Sequence, residues 1–141
     1  MKTIAFFDGA TEPINPGGHT GCGWVIYINS KDSIRGNKYI GFGNGMTNNV
    51  AEYHGLLNVL EILEKESITG AEIFGDSNLV VNMVNGVWGR KKPHAKFPHL
   101  QPLLFRCKEL LKEGGHDLSW VPREENTEAD EQSKLSVSDY L

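Results

Sequence analysis

The hydrophobic period of this chain changes once, near Asn49, and that change constrains its fold more than any other feature. Before it, Lys2–Phe7 and Gly23–Ile28 are rich in β-branched and aromatic side chains, and Tyr39–Gly43 alternates bulky residues with glycine. Polar or glycine-rich turns separate these segments, and the pattern predicts three consecutive strands. After it, Tyr53, Leu56, Leu57, Leu60 and Leu63 fall at the i, i+3, i+4, i+7 and i+10 positions of an amphipathic helix ending near Glu66. Ala71–Phe74 and Leu118–Val121 read as short strands and Ser77–Val84 as a short helix. Leu100, Leu103, Leu104, Cys107, Leu110 and Leu111 form a second helical stripe, stopped by Gly114-Gly115, and a last helix begins around Thr127. A meander followed by crossovers calls for an α/β fold, a mixed sheet with helices on its faces.

The 141 residues suit a single domain spanning 1–141. With 39% apolar residues and 16 glycines, the chain can bury a core and make many tight turns. No apolar run approaches the roughly 18 residues of a membrane span, and the Met1-Lys2-Thr3-Ile4 start lacks a signal-peptide pattern. A cytoplasmic monomer with no membrane partner is expected. Cys22 and Cys107 sit in apolar patterning without a CxxC partner, which predicts buried, reduced thiols. The net charge of −4 argues superficially against a nucleic-acid partner.

Four acids qualify that charge argument. Taken singly, Asp8-Gly9 suits a turn, Asp76-Ser77 a helix N-cap, and Asn49-x-x-Glu52 and Thr127-x-x-Asp130 capping boxes. Taken together, Asp8 and Asp76 follow apolar strand segments while Glu52 and Asp130 fall in first helical turns, where element ends can converge. Four gathered carboxylates repel strongly unless cations are present or some are protonated, and divalent metal is the natural remedy. Of the 18 acidic residues, setting these four aside leaves 14 against 14 basic ones, so net charge does not decide the partner.

In order and spacing, four blocks resemble type 1 ribonuclease H. They are Phe7-Asp8-Gly9-Ala10 with Asn15-Pro16-Gly17-Gly18, Thr47-Asn48-Asn49-x-x-Glu52, Gly75-Asp76-Ser77-Asn78, and Trp120-Val121-Pro122-Arg123-Glu124-x-Asn126-x-x-Ala129-Asp130. The resemblance covers nearly the whole chain. It implies a ribonuclease H-like fold, a five-stranded mixed sheet flanked by helices, with Asp8, Glu52, Asp76 and Asp130 as metal-binding carboxylates. The activity it implies is endonucleolytic cleavage of the RNA strand of an RNA–DNA hybrid.

The chemistry independently asks for such residues. Phosphodiester hydrolysis at neutral pH needs an activated water and neutralised charge on the nonbridging and leaving oxygens, which two metals about 4 Å apart provide. An open cluster of hard oxygen ligands suits Mg²⁺, which retains waters and takes only one or two protein carboxylates plus substrate oxygens. Two ions are therefore expected with substrate bound, Mn²⁺ being a possible substitute. Asp8 is expected to bridge them, with Asp76 and Glu52 on one side and Asp130 on the other.

Hybrid recognition turns on the ribose 2′-hydroxyl, which short polar side chains and free amides can read. Asn15 with Gly17 and Gly18, and Asn48 with Asn49, match stretches through which the family touches the minor groove; Asn78 is a weaker candidate. A turn and an N-cap are the bland alternatives. Further on, Trp88, Arg90, Lys91, Lys92, Lys96 and Phe97 interleave cations with aromatics. This segment resembles a short form of the family's substrate-binding handle, and could pair with phosphates. The alternative is a solvated loop with Trp88 and Phe97 tucked into the core.

The chain departs from the family pattern in one place. Some members carry a histidine in the loop before the last acid, whereas Pro122–Asn126 has none. Arg123 or Glu124 is the candidate substitute for holding the departing phosphate or water. His116 precedes the last strand and receives no catalytic role; His19, His54, His94 and His99 show no ligand spacing and read as surface or packing residues. Two other functions compete with the ribonuclease: a non-cleaving accessory domain that grips hybrid or double-stranded RNA, and a DNA-cleaving transposase or resolvase relative. The presence of all four acids argues against the first, and the lack of added DNA-binding segments against the second.

Overall fold

A computed structural model describes residues 2–29 and 32–141. Three long strands, β1 (Thr3–Glu12), β2 (His19–Ile28) and β3 (Asp32–Gly41), form the expected antiparallel meander. Then follow α1 (Asn48–Lys65), β4 (Glu72–Gly75), α2 (Asn78–Val84), α3 (Gln101–Gly114), β5 (Asp117–Trp120) and α4 (Thr127–Ser138). The strands lie in the order β3-β2-β1-β4-β5, with β4 parallel to both β1 and β5. This is the mixed sheet that the element order requires.

The helices divide between the two faces. Tyr53, Leu56, Leu60 and Leu63 of α1 are buried with Leu104, Cys107 and Leu110 of α3, against Ala5, Phe7, Trp24 and Ile26 of the sheet. Helix α4 crosses β1, β2 and β3, with its backbone close to Gly23 at Ser133 and the Ser136 side chain packed on Gly21; both serines are buried. Both cysteines are free and buried, as their apolar setting predicts. Among the described residues, no helix is long and apolar enough to cross a membrane.

Several boundaries differ from the sequence reading, each for a physical reason. Strand β1 runs on to Glu12, so Asp8-Gly9 is no turn; Asp8 pairs with Gly23, and Gly9 with Cys22. Strand β2 begins at His19 rather than Gly23, because β1 supplies a partner for every residue from there onward. Strand β3 covers Asp32–Gly41 rather than Tyr39–Gly43; as an edge strand it needs one partner and carries polar residues that mask its period. The cap of α1 is Thr47, whose hydroxyl accepts from the Val50 amide, and not Asn48 or Asn49. That of α2 is Ser77 and not Asp76. Helix α4 has no side-chain cap, so Thr127-x-x-Asp130 is not a capping box. Freed from capping, the acids are available for other work.

Candidate active site

The parallel pairing of β1 and β4 begins the site. Phe7 lies beside Gly75, so the chains leave that rung with Asp8 and Asp76 side by side. Ligands of open α/β sheets collect at the carboxyl ends of parallel strands. Helix α1 brings in Glu52 from one face. It can do so because residue 9 is glycine: a Cβ there would stand 2.5 Å from the Ala51 side chain and 2.6 Å from the Glu52 backbone nitrogen. From the other face α4 brings in Asp130, close against Gly23, where a Cβ would collide with the Ser133 amide.

Carboxylate oxygens of Asp8, Glu52 and Asp76 lie within 4.8 Å of one another. The Gly9 amide donates to Asp8 Oδ1 at 2.9 Å and to Glu52 Oε1 at 3.2 Å. Glu52 Oε2 is buried with no hydrogen-bond partner. Asp130 stands at the margin of this group, with Oδ2 3.0 Å from the Lys134 ammonium one helical turn on. All four acids line one cavity of about 380 Å³, together with Asn48, Ser77, Arg123 and Lys134.

Burial sets the electrostatics. Asp8 and Glu52 are 5% and 3% exposed. Burial first, and then the neighbouring Asp76 charge, push the Asp8 carboxyl up to about 7, against the lowering effect of hydrogen bonds from Glu52 and the Gly9 amide. Burial and the Asp8 charge hold Glu52 well above the ordinary carboxylate range. Without a cation, burial and mutual repulsion therefore favour the protonated forms of this pair. An unpartnered buried oxygen among three converging acids, all hard oxygen donors, fits a divalent cation. The Trp120 indole nitrogen donates to the Asp76 carbonyl at 3.1 Å, fixing the backbone that presents that acid.

The other sequence candidates fall into two groups. Asn15 and Asn48 are brought together, for Asn15 Oδ1 accepts from the Asn48 amide at 3.1 Å. Gly17 has φ +99 and its amide donates to the Met46 carbonyl, so the β1–β2 turn is fastened to the segment before α1. Gly18 is buried against the Ile14 and Glu12 carbonyls, and Asn49 is half-buried. Asn78 is exposed at the start of α2 and is not among the residues lining the cavity.

The second group, Trp88, Arg90, Lys91 and Lys92, is exposed and also outside the cavity. Trp88 and Phe97 are 46% and 53% exposed rather than tucked into the core. His116 is buried and accepts from the Ala71 amide, at the end of β4 opposite Asp76. Arg123 reaches the cavity and Glu124 does not.

Sequence reasoning missed Lys134 altogether, and gave Gly9, Trp120 and Asn126 no role of their own in the site. Lys134 had a signal, its spacing of four residues from Asp130. Gly9, Trp120 and Asn126 stood inside the four blocks, but their bonds to Glu52, the Asp76 carbonyl and the Phe7 carbonyl join residues remote in the chain, so the blocks gave them no individual role.

A five-stranded mixed sheet with four acids converging from two neighbouring parallel strands and from helices on both faces defines a domain of the ribonuclease H fold. The family model described as reverse transcriptase-like matches residues 6–136. Ribonuclease HI of Halobacterium salinarum is 32% identical over 142 residues, covering 98% of this chain and 65% of that protein. The crystal structure of RNase H1 from the same archaeon superposes with a TM-score of 0.82 at 30% identity, covering 99% of both chains. The chain belongs to the type 1 ribonuclease H family.

Two further relatives extend the comparison. A bifunctional protein of Mycobacterium tuberculosis is 34% identical over 131 residues, 92% of this chain but 34% of that protein. The chain thus spans about a third of the length of its mycobacterial relatives. The structure of that protein's N-terminal RNase H domain, a fusion with maltose-binding protein, gives a TM-score of 0.79 at 32% identity and covers 94% of this chain and 95% of the other. LC11-RNase H1, solved in complex with an RNA/DNA hybrid, gives 0.82 at 28% identity over 99% of both chains.

Proposed function

We propose that residues 1–141 act as one ribonuclease H domain, cutting the RNA strand of RNA–DNA hybrids with divalent cations held by Asp8, Glu52, Asp76 and Asp130. The observation that carries this reading is the convergence of all four acids on one open cavity, two of them buried and one with an unpartnered oxygen. An accessory domain that only grips a duplex has no use for such a costly cluster.

Asp8, Glu52 and Asp76 would hold one ion, and Asp8 with Asp130 a second, Mg²⁺ being the ion that suits these ligands and Mn²⁺ its substitute. Bound there, the ions supply an activated water and neutralise charge on the nonbridging and leaving oxygens of the phosphodiester. The Gly9 amide orients Asp8 and Glu52, and Trp120 orients the Asp76 backbone. Lys134 holds its ammonium against the Asp130 carboxylate, and Arg123 at the cavity wall would hold the departing phosphate in a loop without histidine.

Asn15, Gly17, Gly18, Asn48 and Asn49 form one fastened edge beside the cavity suited to sugar contacts, with Asn78 a lesser contributor. Trp88, Arg90, Lys91 and Lys92 offer an exposed surface for phosphates and sugars. The complex of LC11-RNase H1 with an RNA/DNA hybrid supports the same substrate class for this chain. A monomer acting in the cytoplasm is the assembly and location that accompany this reading.

The test is cleavage of labelled RNA–DNA hybrid, duplex DNA, duplex RNA and single strands, each with Mg²⁺, Mn²⁺ or chelator. Cutting confined to the RNA of the hybrid and abolished by chelator is the expected result. Tight hybrid binding without cutting would establish the accessory-domain reading instead.

A further inference from the structure

The exposed basic segment is fastened to the catalytic body at a specific point. Tyr53 follows Glu52 on α1 and is fully buried, yet its hydroxyl is 2.6 Å from Nε2 of His94. The two rings meet edge to face with centroids 5.5 Å apart. A buried phenol needs a polar partner. This one finds it in the segment that carries Arg90, Lys91 and Lys92. His94 itself holds φ +52, a left-handed conformation uncommon for a residue with a side chain and kept where surrounding contacts over-determine it.

Neighbouring bonds complete the fastening. The Gln101 side-chain amide of α3 donates to the Pro93 carbonyl at 2.9 Å, and the Phe97 amide donates to the His94 carbonyl at 3.0 Å. Arg90 Nε donates to the Gly86 carbonyl at 2.6 Å. The charges are left available, for among the described residues Arg90, Lys91, Lys92 and Lys96 form no salt bridge.

We propose that the Tyr53–His94 pair is a latch holding the 90–97 segment in register with the carboxylate cavity, which makes His94 a positioning residue for the hybrid. Tyr53 and Glu52 are consecutive on one rigid helix, so a phosphate gripped by the Arg90–Lys92 cations stands at a constant offset from the phosphate presented to Asp8 and Glu52. The latch thereby contributes to where along the RNA strand the cut falls. The inference rests on the reading of this segment as a phosphate contact.

The experiment compares the parent with His94→Ala, Tyr53→Phe, their double variant and the triple variant Arg90→Ala, Lys91→Ala, Lys92→Ala, on an end-labelled hybrid of defined sequence. Each single change should raise KM about three- to tenfold, leave kcat near the parent value, and spread the cuts over neighbouring positions. The double variant should be no worse than either single, because the two residues act as one pair. His94→Gln, whose amide oxygen can accept from the phenol, should recover KM and the cutting pattern in part.

A merely structural role would lower the melting temperature and move neither readout. Tyr53→Phe keeps the buried ring and removes only the hydroxyl, so it carries the test if His94→Ala loosens the fold. Parent-like KM and cutting positions in both singles, with KM raised in the triple variant, would overturn the latch while leaving the phosphate-contact reading intact. An unchanged KM in the triple variant would bring down that reading, and the latch with it.

Discussion

The side-chain amide of Asn126 donates to the carbonyl oxygen of Phe7 at 2.9 Å, across 119 positions of sequence. The residue that opens the helix carrying Asp130 is thus bonded to the residue before Asp8. Replacing Asn126 with Ala removes this buried hydrogen bond and should cost about 0.5–1.5 kcal/mol in stability. Chemical denaturation reads that cost. Cleavage should fall further than hybrid affinity, since Asp130 loses its tie to β1 while the sugar-contacting edge keeps its own bonds.

Asp8 is the acid common to both proposed ions. Asp8→Asn keeps the shape, removes the charge, and should lower cleavage about a thousandfold or more, with hybrid binding largely intact. Gel cleavage and filter-binding assays check the two halves separately. Unchanged turnover would remove this site from contention.

The pH dependence of the metal-free protein has a definite sign. Asp8 is raised from 3.8 to about 7 by burial and then by Asp76, and Glu52 is raised in the same sense by burial and then by Asp8. From about pH 4, where an unfolded carboxyl titrates, to about 7, the folded state holds more protons than the unfolded one. Stability in chelator is therefore greatest in acid and falls as pH rises through that window. Divalent cations displace those protons, so they should bind more tightly at pH 8 than at pH 5.5. Thermal melts should show Mg²⁺ raising the melting temperature more at the higher pH, by about 5 °C or more at saturation. Equal protection at both pH values would count against the buried acids as ligands.

Salt reads the basic segment. If Arg90, Lys91 and Lys92 each neutralise one phosphate, changing all three to Ala should flatten the slope of log affinity against log salt by about 2–3. Hybrid binding titrated over a range of KCl measures it. An unaltered slope would make the segment a bystander.

How much of this was legible in the chain depended on range. The stripes of α1 and α3 repeat within one element, so Tyr53, Leu56, Leu60, Leu104 and Cys107 announced their burial locally. The four acids were legible through order and spacing, and they meet in one cavity. What stayed hidden was pairing between distant segments. Asp8-Gly9 has the composition of a turn, and only its partners Gly23 and Cys22 keep it extended. The polar edge strand β3 carries too weak an alternation to show its length. Thr47 outcompeted the two asparagines beside it for the cap, a choice that propensity alone does not separate. The bond from Tyr53 to His94 joins a core position to a residue that reads as ordinary surface.

Gly9 and Gly23 let helices rest on both faces of the sheet as main chain against main chain, within one residue of Asp8 and directly across from it. Packed side chains can rearrange by changing rotamer, whereas touching peptide groups have nowhere to go. The gap between the acids is thus insulated from drift elsewhere: conservative exchanges among Leu56, Leu60 and Leu104 can soften the body while the ligand geometry persists. Tolerance in the interior and intolerance at two side-chain-less positions are two faces of the same construction.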